Sequence, residues 1–220
     1  MSAKKYYAVK KGKETGVFLT WAECKAVVDG FPGAEYKSFP DREEALRYLD
    51  SQSREELPPE GTLLAYVDGS YSDTLKKYAF GCVFILPGGE IYTEFGNGDN
   101  PKSLEQRNVT GEMLGAMYAV RCAMANGFQA VEICYDYQGI EKWVTGEWRS
   151  KTELTQKYAQ AMREWGKTIR MIFTKVAAHT NVRFNELADQ TAKRGLTEGT
   201  GVPRVKKLEE RTAYGEGAIE

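Results

Sequence analysis

The sequence predicts two folded parts: a small α+β module with a three-stranded antiparallel sheet, then an α/β domain whose mixed five-stranded sheet is flanked by helices. Three observations support this prediction. Short strand and helix patterns fill residues 4–50, a polar segment with paired prolines occupies residues 51–60, and the pattern βββαβααβα follows over residues 61–196. Residues 197–220, rich in glycine and charge, are predicted to form a mobile tail.

The composition limits the possible functions. The 220 residues are 42% hydrophobic and 28% charged, as in ordinary globular proteins. The net charge of −1 argues against bulk coating of nucleic acid, so any such binding must depend on a local patch. Four scattered cysteines predict reduced thiols rather than a zinc site. Without a membrane span or a signal-peptide pattern, we expect a cytoplasmic protein with no membrane partner.

The first module has clear start signals for its elements. Thr20 and Glu23 have the spacing of a capping box, which begins a helix that continues to Val27. Asp41 caps a second helix, which turns Ala45, Leu46 and Leu49 inward. Three short strands are predicted at residues 5–11, 17–19 and 36–39.

Lysines and aromatic residues are interleaved along this module. Basic groups neutralise phosphates and aromatic faces pack on sugars or bases, so this mixture is typical of a nucleic-acid surface. The alternative is a solvated lysine face above aromatic residues of the core. The residues are Lys4, Lys5, Lys10, Lys11, Lys13 and Lys37 with Tyr6, Tyr7, Trp21 and Tyr36.

The second domain begins with an apolar strand that leads into a charge. Residues 63–67 predict a strand buried on both faces, and Asp68 follows directly at its end. Gly69 is expected to allow a tight bend, and Ser70 adds a hydroxyl. Further strands are predicted at residues 78–86, 90–96, 129–135 and 169–176, and helices at 109–125, 140–143, 152–165 and 185–194.

Four acids lie where the predicted strands and helices would bring them together. Asp68 and Asp136 end buried strands, while Glu112 and Asp189 lie on helices that pack over the sheet. Neighbouring carboxylates repel one another unless cations lie between them. Oxygen ligands favour magnesium or manganese, so the pattern predicts two Mg²⁺, with Mn²⁺ possible, at a site for phosphoryl chemistry. The alternative is a set of acids that only cap turns.

The first module resembles the hybrid-binding domain of type 1 ribonucleases H. The similarity lies in YYAVKKGKETGVFLTWAEC at residues 6–24 and FPGAEYKSF at residues 31–39. It implies that three aromatic residues contact the sugars and phosphates of the DNA strand of an RNA/DNA hybrid, with two polar residues beside them. These residues are Tyr7, Trp21 and Tyr36, and Lys37 and Ser38.

Residues 62–196 resemble the catalytic domain of the same family. Asp68-Gly69-Ser70 matches the first-strand motif, and the order and spacing of the four acids agree. The resemblance implies that all four acids hold metal and that His179 moves a proton or helps product release. It further implies substrate contacts by Gly69 and Ser70, by Asn108 near the RNA 2′-hydroxyls, and by Asn185 near the scissile phosphate.

The resemblance implies a monomeric endonuclease that cuts the RNA strand of RNA/DNA hybrids and leaves 5′-phosphate and 3′-hydroxyl ends. The basic protrusion of some family members is missing between Trp143 and Tyr158, so the first module is expected to supply that grip. Two rivals remain: a catalytically silent hybrid-binding protein, and a different nuclease of similar fold. The second rival is expected to pair two acids as Asp-x-Glu on the first strand or to act on DNA, and Asp68-Gly69-Ser70 has no second acid.

Overall fold

The computed structural model describes residues 5–42, 44–45, 48, 57–176 and 183–208, and the chain forms two compact units, Met1–Glu56 and Leu57–Glu220. The division falls inside the segment predicted as a linker. Several predictions concern residues outside the described ones: the inward positions Leu46 and Leu49, linker residues 51–56, His179, and tail residues 209–220.

The first unit contains the predicted three-stranded antiparallel sheet, in the order β2-β1-β3. Thr20 and Glu23 form the predicted capping box: the Thr20 hydroxyl accepts from the Glu23 N–H at 3.2 Å, and Glu23 Oε2 accepts from the Thr20 N–H at 3.0 Å. Val9, Cys24 and Val28 pack between sheet and helix. The elements are β1 (Tyr6–Lys11), β2 (Gly16–Phe18), α1 (Trp21–Val28) and β3 (Glu35–Phe39).

The second unit contains the predicted mixed five-stranded sheet, in the order β6-β5-β4-β7-β8. Its first three strands are antiparallel, and the last two run parallel to β4. A short helix, α2, was not predicted. The elements are β4 (Thr62–Ser72), β5 (Lys77–Ile85), β6 (Ile91–Gly98), α2 (Pro101–Leu104), α3 (Asn108–Ala125), β7 (Ala130–Tyr135), α4 (Gly139–Thr145), α5 (Glu153–Trp165), β8 (Arg170–Lys175) and α6 (Arg183–Glu198).

Strand β4 is buried on both faces because its side chains alternate between two cores. Leu63, Ala65 and Val67 pack with residues of α3 such as Met113. Leu64 and Tyr66 point to the other face and pack with residues of α6 such as Phe184. The same alternation puts position 68 on the α6 face and position 69 on the α3 face.

The predicted strand end at Asp68 and the bend at Gly69 are wrong. Strand β4 continues to Ser72, and Asp68 pairs with Gly81 on β5. Glycine is needed at position 69 for a different reason: a Cβ there would lie 2.0 Å from the Asn108 carbonyl oxygen and 2.5 Å from the Glu112 nitrogen. The absent side chain therefore lets the start of α3 rest directly on the strand.

The prediction of a mobile tail is wrong for residues 197–208. Helix α6 extends to Glu198, and the following residues form a strap across the domain. Two asparagine side chains hold this strap: Asn97 accepts from the Gly201 N–H at 2.9 Å, and Asn126 accepts from the Leu208 N–H at 2.8 Å. Leu208 is buried, so the strap connects the end of α6 with the end of α3.

Two composition-based expectations concern cysteines and membranes. All four cysteines are among the described residues, and each is buried and forms no disulfide. In the described part of the chain, no helix has the length and apolar character needed to cross a membrane.

Candidate active site

Asp68 and Asp136 lie next to each other because of the register of two neighbouring strands. Strands β4 and β7 are parallel, and their last paired residues are Tyr66 and Cys134. Each aspartate lies two residues beyond that last pair. Parallel strands that separate at the same level place both carboxylates at one edge of the sheet.

Glu112 comes to this edge from α3. Its side chain is 2% exposed, and Oε1 accepts from the N–H groups of both Asp136 and Tyr137 at 3.2 Å. Burial raises the pKa of the Glu112 carboxyl well above its usual range, and the charges of Asp136 and Asp68 raise it further. One carboxylate oxygen thus fixes the segment that carries Asp136.

Asp68 has the second strongly shifted carboxyl. Burial is the main cause that raises its pKa to about 7, and the charges of Asp136 and Asp189 act in the same direction. The hydrogen bond from the Gly69 N–H to Oδ1, at 2.6 Å, opposes the shift. These mutual effects place four acids from four separate elements in one electrostatic neighbourhood, which we call the acid cluster: Asp68, Glu112, Asp136 and Asp189.

Asp189 is the member of the cluster that is paired with a lysine. Its side chain is 33% exposed, and Oδ2 lies 2.7 Å from Lys193 Nζ. Lys193 also lowers the pKa of Asp68, so its charge reaches beyond its direct partner. Sequence reasoning missed Lys193, although its spacing of four residues from Asp189 on a predicted helix was a visible signal.

The ligand atoms that the acid cluster offers are of the type that binds divalent metal ions. The cluster offers only carboxylate oxygens, which suit Mg²⁺ or Mn²⁺, and the pKa values of Asp68 and Glu112 are raised first by burial and then by neighbouring negative charges that a cation would offset. Within the described ranges, no three acidic, histidine or cysteine side chains are arranged to hold a metal ion. Glu112 Oε1 accepts from two backbone N–H groups, and Asp189 Oδ2 is paired with Lys193.

The first unit presents a separate feature, which we call the aromatic row: Tyr7, Trp21 and Tyr36. The ring centroids lie 5.6 Å apart for Tyr7 and Trp21, and 5.7 Å apart for Trp21 and Tyr36. Trp21 is 45% exposed and Tyr36 is 43% exposed. Three rings from β1, α1 and β3 therefore form a continuous accessible surface.

Of the two polar residues predicted beside the row, the fold places only Ser38 on the same face of β3. Ser38 pairs with Tyr7, and strand alternation puts its side chain on the side of Tyr36. Lys37 points to the opposite face, where its ammonium lies 5.6 Å from the centroid of the Phe39 ring. Lys37 can contact the same ligand only by reaching around the edge strand.

Comparison with known proteins identifies both units. The ribonuclease H family model matches residues 60–197, more than half of the chain, and the model of the ribonuclease H1 N-terminal domain matches residues 5–49. The chain belongs to the ribonuclease H family. A solved ribonuclease H1 from Halobacterium salinarum NRC-1 covers 63% of this chain and 99% of its own, with a TM-score of 0.53 and 24% identity, which shows the shared fold.

Two curated ribonucleases H match within a short segment. Ribonuclease H1 of Mus musculus is 52% identical over 48 residues, which are 22% of this chain and 17% of the mouse protein. Ribonuclease H of Saccharomyces cerevisiae is 54% identical over 44 residues, 20% of this chain and 13% of the yeast protein. The matches therefore span less than a fifth of the length of these relatives.

The remaining residues predicted from the ribonuclease H resemblance lie around the acid cluster. Gly69 and Ser70 follow Asp68 on β4, and Asn108 begins α3. Asn185 is buried on α6, one helical turn before Asp189. His179 lies outside the described residues.

Sequence reasoning also missed Arg107, which precedes α3. Its backbone has φ +51°, a conformation that costs energy for a residue with a Cβ and recurs near functional sites. Its guanidinium carbon lies 5.9 Å from the Tyr71 ring centroid. No sequence signal marks such a backbone, because arginine has no preference for it.

Proposed function

We propose that this protein is an endonuclease that hydrolyses the RNA strand of RNA/DNA hybrids with divalent cations, and leaves 5′-phosphate and 3′-hydroxyl ends. Two Mg²⁺ are the proposed cofactors, with Mn²⁺ as a substitute, and a monomer is the proposed active form. One observation carries the proposal: within the ribonuclease H fold, Asp68, Glu112, Asp136 and Asp189 share one electrostatic neighbourhood at a sheet edge.

The residues proposed to hold the metal are the four acids of the cluster. When bound there, divalent cations would lower the pKa of a water molecule and neutralise charge that develops on the phosphate. Glu112 orients Asp136 through the backbone N–H groups of residues 136 and 137. Gly69 fixes one oxygen of Asp68 through its N–H. His179, outside the described residues, is proposed to assist proton transfer or product release.

At neutral pH the acid cluster holds protons that cation binding would release. The pKa of Asp68 is raised to about 7, so its carboxyl is partly protonated near neutrality when no cation is bound. A bound cation favours the ionised form and lowers that pKa. Cation affinity is therefore expected to increase as pH rises through this range.

The proposed substrate is recognised through its backbone rather than its base sequence. Ser70 follows Gly69 on β4, and Asn108 begins α3 with its carbonyl oxygen close to Gly69. Both residues are proposed to contact the RNA strand and its 2′-hydroxyls. The aromatic row is proposed to pack against the sugars and phosphates of the DNA strand. Asn185 is proposed to contact the region of the scissile phosphate.

A cleavage assay tests the proposal directly. The full chain is incubated with an end-labelled RNA/DNA hybrid, a DNA duplex and an RNA duplex, each with Mg²⁺ or with a chelator. We expect internal cuts in the RNA strand of the hybrid, only with Mg²⁺, and enzymatic end-labelling then identifies the product ends. Binding of the hybrid without any cleavage would instead support a silent hybrid-binding protein, and cutting of the DNA duplex would support another class of nuclease.

A further inference from the structure

Lys193 places a positive charge directly at the acid cluster. Its ammonium lies 2.7 Å from Asp189 Oδ2, one helical turn further along α6. The Lys193 side chain is 64% exposed, whereas that of Asp189 is 33% exposed. The Lys193 ammonium therefore lies on the solvent side of Asp189 and can move away without disturbing the packing of the core.

The influence of Lys193 extends to a second acid on another element. Asp68 lies on β4, and the charge of Lys193 lowers its pKa while Asp136 and Asp189 raise it. Lys193 thus acts on the combined negative charge of the cluster.

A second pair on this protein has the same local geometry without that setting. Lys157 Nζ lies 2.7 Å from Glu153 Oε1 on α5, again with the acid four residues before the lysine. Both side chains are more than 60% exposed, and Glu153 is lowered in pKa by its lysine neighbours Lys157 and Lys102. This pair is therefore a matched example of a lysine that stabilises a surface helix.

We propose that Lys193 is a built-in counterion of the acid cluster: it holds Asp189 when no divalent cation is bound, and a divalent cation must displace it to reach this carboxylate. The inference rests on the proposed metal-dependent function. Its physical basis is competition, because one ammonium cannot stay at Asp189 Oδ2 while a doubly charged ion uses the same oxygen. Lys193 is thus a positioning residue that sets cation affinity.

The inference makes an unusual prediction for a salt-bridge residue. Removal of a residue that merely supports the helix would leave cation affinity unchanged or weaken it. Removal of a competing charge tightens cation binding, by roughly threefold to tenfold for one solvent-exposed unit charge near a divalent ion. The effect should shrink as monovalent salt increases, since screening weakens the competitor.

Calorimetric titration of the full chain with MnCl₂, without nucleic acid and at fixed pH and low ionic strength, tests this inference. Lys193→Gln should bind Mn²⁺ roughly threefold to tenfold more tightly than the unmodified protein. Lys193→Arg retains the charge and should stay near the unmodified affinity. Lys157→Gln, the matched control, should bind Mn²⁺ with unchanged affinity.

The possible failures are distinguishable. If the unmodified protein binds Mn²⁺ and Lys193→Gln binds it equally or less tightly, the counterion role is overturned while the metal-dependent function stands. If neither protein binds Mn²⁺, both are overturned. Thermal unfolding in a chelator completes the design, because loss of the counterion should lower the melting temperature of Lys193→Gln more than loss of a surface helix charge lowers that of Lys157→Gln. Equal decreases would count against the counterion role.

Discussion

The acid cluster and the aromatic row are built in opposite ways. Glu112 in the cluster is 2% exposed, and burial together with nearby negative charge raises the pKa of Glu112 and of Asp68. Trp21 in the row is 45% exposed, and its ring packs in a tilted arrangement against the rings of Tyr7 and Tyr36. The cluster holds mutually repelling carboxyl groups on fixed elements of the fold, which suits catalysis. The row offers accessible aromatic surface, which suits binding.

The two regions should therefore respond differently to substitution. A change in the cluster alters charge or packing in a place where the backbone has no room to adjust. A change at Trp21 or Tyr36 removes contact area but leaves the fold intact, since both side chains are exposed and only Tyr7 of the row packs against the core. Substitutions can test this contrast one region at a time.

The largest effect is expected for Asp68→Asn, which retains shape but removes one charge of the acid cluster. Cleavage of the hybrid should fall at least about 10³-fold, since a proposed metal ligand is lost. The dissociation constant for the hybrid should change little, because the aromatic row is untouched. Steady-state cleavage rates and a fluorescence binding titration measure the two properties. Retained turnover would refute the assignment of Asp68 and remove the expected difference between the acid cluster and the aromatic row.

Gly69→Ala should break the frame that supports the cluster. The new Cβ would lie 2.0 Å from the Asn108 carbonyl oxygen, so α3 must move away from β4. We expect a loss of about 3 kcal/mol in the free energy of unfolding, measured by denaturant titration. Gly166→Ala, whose Cβ would meet Met162 O at 3.3 Å at a helix end, is the matched control and should change stability much less. Equal effects would contradict the close-approach explanation.

The contrast also explains what could be predicted from the sequence. Asp68 and Asp136 are evident because a charge that follows an apolar strand requires an explanation in any fold, and the order of Glu112 and Asp189 on later helices completes the set. The aromatic row could be anticipated as a set of residues, since the sequence interleaves aromatic and basic types. The side of β3 that each residue faces depends on register, and therefore Lys37 was grouped with Tyr36 although the strand separates them.

Features that depend on long-range contacts could not be predicted. The pairing of β4 with β7 ends at Tyr66, whereas its pairing with β5 continues through Asp68 to Ser72, and no local pattern distinguishes these two boundaries. The strap at residues 199–208 contains glycine and charge like a disordered segment. Its order comes from Asn97 and Asn126, which lie about 80 to 100 residues earlier in the chain.

Without metal, the protein should lose stability as pH rises from about 4 to 7. The folded-state pKa of Asp68 is about 7, above its usual value of 3.8, so the unfolded state releases this proton first and is favoured as pH increases. Burial of Glu112 acts in the same direction. For Asp68 we expect a decrease of roughly 2 kcal/mol, allowing for partial exposure, and this contribution levels off above pH 7.

Melting temperatures in a chelator between pH 5 and pH 8 measure this loss. Asp68→Asn should show a shallower decrease, since the uncharged amide does not titrate. Addition of Mg²⁺ at pH 8 should raise the melting temperature of the unmodified protein more than that of Asp68→Asn. A stability that increases over this pH range would show that the carboxyls of the cluster are not destabilised by burial.

The smallest expected effect belongs to Trp21→Ala, in the middle of the aromatic row. Loss of this ring should weaken binding of an RNA/DNA hybrid about tenfold, the change typical for one aromatic contact with nucleic acid. The cleavage rate at saturating hybrid should stay unchanged because the acid cluster is intact. Leu19→Ala, which removes a neighbouring side chain that is 52% exposed but outside the row, should leave affinity unaltered. Equal losses for both variants in a binding titration would mean that general apolar surface, rather than the aligned rings, holds the hybrid.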